Sequence, residues 1–248
     1  MVRSPIAGVG YFFRGLTLLV KPGVRFYAII PLLINCIVFA LGIWYAFGQF
    51  QVFLGWANGF LPDWLNWLGW VLIPLLVVTM GVGIFFTFSM MANIIAAPFN
   101  SILAERVEQH LRGGRIDPAQ GNPKGMLLRL IPLIWNEFGK IAYNILWAIP
   151  FLVLFIVPVV NVAAPFLWIA FSAWMLAIQY ADIPMGNHNL TGGEVRRKLR
   201  EKRGVSLIFG GTTLLMNTIP FINFLVMPAA VAGATIFWVE SLAENNRQ

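Results

Sequence analysis

The chain has 248 residues, 59% of them hydrophobic and 11% charged, with a mean hydropathy of +0.77. Soluble domains carry about 25% charged residues, so this composition excludes an ordinary soluble core and marks an all-α integral membrane protein. The formal net charge of +7 would suggest a nucleic-acid partner in a soluble protein, but here the basic residues flank apolar blocks, where they orient the chain against a membrane.

Residues 1–23 predict an interfacial amphipathic helix. Ile6, Val9, Phe13, Leu16 and Val20 recur at helical spacing, while Arg3, Arg14, Thr17 and Lys21 fall on the opposite face. Pro22-Gly23 ends it. The segment does not read as a cleavable signal, because the first apolar block begins only after Arg3, Arg14, Lys21 and Arg25 and outruns a signal core. Arg25 then stands at a helix start, and a guanidinium beside freed backbone donors can hold an oxyanion. Anchoring to lipid headgroups is the plainer role for the same residue.

Residues 26–48 are uncharged and long enough to cross, since roughly 20 apolar residues span the hydrocarbon. The loop expected from Gln49 to Trp67 is rich in tryptophan and carries Asp63, the one charged residue between Arg25 and Glu105. Residues 69–95 predict the second transmembrane helix, with Gly81 and Gly83 available for close helix packing and a break at Ala96-Ala97-Pro98-Phe99-Asn100. A charged cytoplasmic helical segment follows over 100–140, with an amphipathic helix from Asn100 to Leu111 and a Gly/Pro-rich loop from Gly113 to Gly125.

Residues 141–181 and 204–239 are again uncharged, and prolines interrupt both. Each reads as a helical hairpin. The turns resemble one another, Val157-Pro158-Val159-Val160-Asn161 before Pro165 and Ile219-Pro220-Phe221-Ile222-Asn223 before Pro228, with proline stopping one helix and asparagine able to cap the next. Arms of about 15 residues reach only about 23 Å, so at least the second hairpin is expected to penetrate partway. Backbone turning inside hydrocarbon must be shielded, which favours assembly into a homo-oligomer.

Sixteen of the seventeen Lys/Arg lie before residue 26, between 105 and 140, or between 194 and 203. The positive-inside rule makes those segments and both termini cytoplasmic and leaves the Asp63 loop outside. The run Arg196 to Arg203 reads first as an orienting anchor beside anionic lipid; no aromatic interleaving supports nucleic acid.

Nothing predicts an enzyme. His110 and His188 have no paired carboxylate at ligand spacing, Cys36 is the single cysteine, and neither a phosphate-binding Gly-Lys-Ser/Thr loop nor a dinucleotide fingerprint occurs. No metal site or cofactor is expected. The amides Asn35, Asn93 and Asn100 stand in or beside apolar segments, where they either bind neighbouring helices or line a polar path; Glu105 and Arg106 then gate that path or pair with Arg129 and Lys140.

At Gly15-Leu16-Thr17-Leu18 with Pro22-Gly23-Val24-Arg25 the chain resembles the CysZ family of bacterial sulfate permeases. The likeness continues through Pro31-Leu32-Leu33, Pro62-Asp63-Trp64-Leu65, Ala96 to Asn100 with Leu103-Ala104-Glu105, Phe171 to Tyr180, Ile219 to Asn223 and Met227-Pro228. The resemblance implies an inner-membrane oligomer with two transmembrane helices and two hemi-penetrating hairpins, taking up sulfate for cysteine synthesis. It also implies oxyanion binding around Gly15, Leu16, Thr17 and Leu18 and at Arg25. Family members often carry two consecutive arginines there, whereas Phe26 follows Arg25 here, so one charge is missing. Sulfite and related oxyanions are neighbouring substrates, and membrane lipids the surrounding partners. Two other classes stay open: the membrane subunit of an ATP-driven anion importer, and a structural or regulatory membrane protein that transports nothing.

Overall fold

A computed structural model describes residues 4–59, 69–113, 130–219 and 222–243, whose regular structure is entirely helical. In chain order these are α1 (Ala7–Leu18), α2 (Arg25–Gly59), α3 (Gly69–Leu111), α4 (Leu130–Leu154), α5 (Ala164–Asn187), α6 (Gly192–Glu201), α7 (Arg203–Asn217) and α8 (Asn223–Phe237). A short 3-10 turn, Val160–Val162, precedes α5, and a π-turn, Trp238–Leu242, follows α8. Two compact units result, one of Met1–Ala28 with Asn100–Gln248, the other of Ile29–Phe99.

The first unit is built around α8, in which every residue from Pro228 to Phe237 is buried. A helix apolar on all sides needs neighbours on all sides, and the small residues Ala229, Ala230, Ala232, Gly233 and Ala234 let them approach. α1 lies directly on α8: a Cβ at Gly15 would stand 2.3 Å from the Ala229 carbonyl oxygen and 2.4 Å from the Gly233 nitrogen. Gly8 meets α7 as closely, and Gly210 brings α7 onto α5, where a Cβ would fall 1.8 Å from the Ala173 oxygen. Tyr11, Phe12, Phe209 and Phe237 fill the space between these contacts.

This packing changes the expected character of α1. Its buried face is Gly8, Tyr11, Phe12, Gly15 and Leu18, while Ile6, Phe13 and Val20 of the expected apolar stripe remain exposed. The helix therefore has two apolar faces, one spent on the core and one left outward. A search for one stripe finds the outer one, because glycine adds nothing to an apolar pattern.

The segments expected as hairpins each hold two successive helices, α4 and α5 in one, α7 and α8 in the other. Neither asparagine caps the following helix, however. Asn161 lies in the 3-10 turn and α5 is preceded by Ala163; Asn223 is already the first residue of α8, and neither helix has a side-chain cap. The first turn bends instead at Val159, with φ 70°, while Pro220 lies outside the described residues.

In the second unit the helices outrun their expected ends. α2 continues to Gly59, because no proline or charge interrupts Gln49 to Gly59, so most of the expected Trp-rich loop is helical; Asp63 lies outside the described residues. α3 continues to Leu111 with Pro98 inside it, so the expected break at Ala96 to Asn100 does not occur. Burial of Leu103, Ala104 and Val107 holds the helix beyond that proline, at the cost of the hydrogen bond Pro98 cannot donate. Their 35 and 43 residues correspond to about 52 and 65 Å, more than the hydrocarbon thickness of about 30 Å. Among the described residues two helical stretches, Ala164–Asn187 and Asn223–Leu242, are long and apolar enough to cross a membrane; the second is mostly covered by protein.

Candidate functional site

The corner between α1 and α2 carries the expected oxyanion residues. The Leu19 amide donates to the Leu16 carbonyl at 3.2 Å, Gly23 turns the chain at φ +90°, and the Val24 and Arg25 amides both donate to the Lys21 carbonyl. Val24, 1% exposed, pins the corner into the core. Its geometry differs from a cluster of free backbone donors. The amides of Gly15, Leu16, Thr17 and Leu18 belong to the body of α1, where the helical ladder occupies them. Gly15 and Leu18 are buried, Leu16 is half-buried, and the Thr17 hydroxyl donates to the Arg14 carbonyl at 2.9 Å. What the corner offers outward is Thr17, Lys21 and Arg25, all exposed, at the positive end of α2.

The end of α3 is brought to the same neighbourhood. The Arg106 guanidinium carbon lies 5.1 Å from the centre of the Tyr27 ring, two residues on from Arg25, and Arg106 Nη1 donates to Gln109 Oε1 at 2.8 Å. Gln109 Nε2 donates in turn to Glu105 Oε1 at 3.3 Å. Asn100, only 3% exposed, points its amide nitrogen at Met227 Sδ, 3.8 Å away, so it ties α3 to α8 within the core. Asn35 and Asn93 fall on α2 and α3, but their side chains lie outside those described, as do Arg129 and the side chain of Lys140.

A polar network that spacing did not reveal joins the end of α3 to the end of α5. Glu108, 4% exposed, accepts from Arg112 Nε at 2.8 Å and lies 2.8 Å from His188 Nε2. His188 thus does have a carboxylate partner, 80 residues away in sequence, which local spacing cannot show. Two turns earlier on α3 Ser101 Oγ donates to Asn187 Oδ1 at 2.5 Å, and Asn187 Nδ2 donates back to the Ser101 carbonyl at 2.9 Å. The π-turn is held from two sides: Arg14 grips Glu240 with both guanidinium nitrogens and Tyr11 bonds Ser241 at 2.7 Å, while buried Lys198 donates to the Leu242 carbonyl at 3.1 Å. Lys198 of the expected basic anchor is therefore a core residue. α6 itself opens with a capping box in which Thr191 and Glu194 satisfy one another's backbone N–H groups. The bond from the Thr191 amide, then that from its hydroxyl, holds the Glu194 carboxyl below its ordinary pKa, with Arg197 and Lys198 adding to the effect. Among the described residues no group of three or more His, Cys, Asp or Glu could hold a metal.

The fold and this cation-bearing corner define an all-helical membrane protein with no visible catalytic constellation among the described residues. A family model described as "Sulfate transporter CysZ/Etoposide-induced protein 2.4" matches residues 11–228, and the chain belongs to that family. Among curated relatives, the Sulfate transporter CysZ of Pseudomonas fluorescens is 43% identical over 247 residues, covering 99% of this chain and 98% of its own length. That of Pseudomonas aeruginosa is 45% identical over 240 residues, 96% and 97% of the two chains. That of Vibrio atlanticus is 40% identical over 240 residues, 95% and 93%.

Proposed function

We propose that this chain takes up sulfate as a channel-like permease of the bacterial inner membrane, supplying cysteine synthesis, and that it works as a homo-oligomer. Similarity at 40–45% identity over nearly the whole length of proteins named sulfate transporters carries the reading. Both termini and the charged segments lie on the cytoplasmic side in this proposal, with the hairpins α4–α5 and α7–α8 entering the bilayer partway.

Arg25 supplies charge to the dianion, Thr17 a hydroxyl, and the positive end of α2 the field between them. Lys21, one helical turn from Arg25, supplies a second cation where Phe26 leaves one missing. Gly15, Leu16 and Leu18 set the geometry of the corner by packing. Asn35 and Asn93 provide neutral amides along the path, while Asn100 is spent tying α3 to α8; neutral donors bind a dianion without trapping it.

Energetics constrain the mechanism. Moving two negative charges against an inside-negative potential of 100 mV costs about 4.6 kcal/mol, more than three decades of concentration. A passive path therefore fills the cell only to about a thousandth or less of outside sulfate at that voltage, and consumption sustains inward flow below that limit.

Radiolabelled sulfate uptake into liposomes containing only this protein tests the proposal. Uptake without ATP supports a permease; none would sink it and return the importer-subunit and non-transporting readings. Arg25→Ala is expected to weaken sulfate binding about tenfold, as loss of one charge-assisted hydrogen bond implies, and unchanged binding removes the corner as the site.

A further inference from the structure

α4 and α5 leave between them a groove of about 310 Å³. Tyr143, Trp147 and Phe151 line it from α4 at four-residue spacing, and Leu167, Phe171 and Trp174 line it from α5. From Tyr143 to Phe151 the helix advances about 12 Å, the length of an extended hydrocarbon segment rather than of a small ion. The two ends differ in character. Phe151 stacks on Phe171 at the end toward the interhelical turn, with ring centres 4.7 Å apart. At the other end the Arg196 guanidinium carbon sits 4.4 Å above the Tyr143 ring, and Arg200, on the same face of α6 one turn later, completes the lining.

An apolar slot closed at one end by two guanidinium groups matches an amphiphile with an anionic head. We propose that this groove holds an acyl chain of an anionic phospholipid, whose phosphate is taken by Arg196 and Arg200. Sulfate has no use for the aromatic walls, and a zwitterionic lipid lacks the net charge that the arginines select. The capped, highly polar α6 carries the cations that headgroups attract, and Tyr143 and Trp174 are residue types that favour that layer. The site is distinct from the α1–α2 corner and rests on membrane insertion of α4 and α5, not on which ion is carried.

Native mass spectrometry of the full-length protein, with added phosphatidylglycerol or phosphatidylcholine of identical acyl chains, tests this. Phosphatidylglycerol is expected to be retained preferentially, with retention falling about fivefold for each arginine removed by Arg196→Gln and Arg200→Gln. Arg196→Lys with Arg200→Lys is expected to keep most of the preference, and Trp147→Ser to lower retention of both lipids alike. Sulfate flux in the same preparations, expected to be unchanged by the Gln pair, reports folding and separates failure of this site from failure of the transport reading. Equal retention of the two lipids, or a preference that survives the Gln pair, overturns the proposal. So does a disulfide between two copies carrying Trp147→Cys and Cys36→Ser that forms to the exclusion of lipid, since a second copy would then occupy the groove.

Discussion

Glycine does opposite things in the two units. In the unit of Met1–Ala28 and Asn100–Gln248, Gly8, Gly15, Gly210 and Gly233 mark places where one helix backbone touches another, and a Cβ at any of them would lie within 2.7 Å of backbone atoms. In the unit of Ile29–Phe99, a Cβ at Gly48, Gly55, Gly81 or Gly83 would meet nothing within 4 Å. Large side chains repeat the contrast, with Phe12 and Phe209 at 1% and 0% exposure against Trp44 and Phe47 at 74% and 75%. Lipid is as apolar as leucine, so what holds helices together inside a bilayer is close approach rather than exclusion of water. One unit supplies that approach from its own chain; the other leaves its apolar surface for lipid or for another subunit.

The largest expected effect comes from closing the tight contacts. Gly210→Ala should destabilise by about 3 kcal/mol or more, because the intruding methyl meets the Ala173 carbonyl rather than a yielding side chain. Gly15→Ala should approach it, with α1 pushed off α8. Thermal unfolding in detergent checks both, and an unmoved midpoint would break the contrast at its stronger side. Next comes Glu108→Ala, which strands Arg112 and His188 and is expected to cost about 2 kcal/mol by the same measurement.

Much of this was open to a sequence reader because hydrocarbon demands long apolar runs. α1 stops at Leu18, short of the expected breaker Pro22-Gly23, but the helices around 26–48 and 69–95 follow from uncharged length. The continuation of α3 through Pro98 did not, since it depends on Leu103 and Val107 finding a core supplied by distant segments. Gly15 read as part of an anion-binding motif, and only the backbone of α8 shows what occupies its open side. Arg106 was visible as a basic residue; that its guanidinium reaches the Tyr27 ring, about 80 positions away, was not.

A smaller effect is expected at the polar edge of the packed unit. Thr191→Ala removes the hydroxyl half of the α6 capping box and should lower the unfolding midpoint slightly. The depressed Glu194 pKa gives this contribution a sign: it is present above the unfolded-state value and lost as pH falls through the lower folded-state value. The midpoint difference between parent and Thr191→Ala should therefore narrow on acidification through that window, and a gap that widens would show that the cap does not act through the Glu194 carboxylate.

The smallest expected effect tests the bare side of the contrast. Gly81→Ala and Gly83→Ala add a methyl where no atom of the described residues lies within 4 Å, so the expected consequence is better helix propensity, a gain of up to about 1 kcal/mol for each residue. Unfolding midpoints should hold or rise slightly, the reverse of Gly210→Ala. The informative exception is a fall in the midpoint accompanied by a smaller particle on light scattering. Another subunit would then be pressed against these glycines as closely as α8 is pressed against Gly15, and the two units would differ in the source of their packing partner rather than in whether they have one.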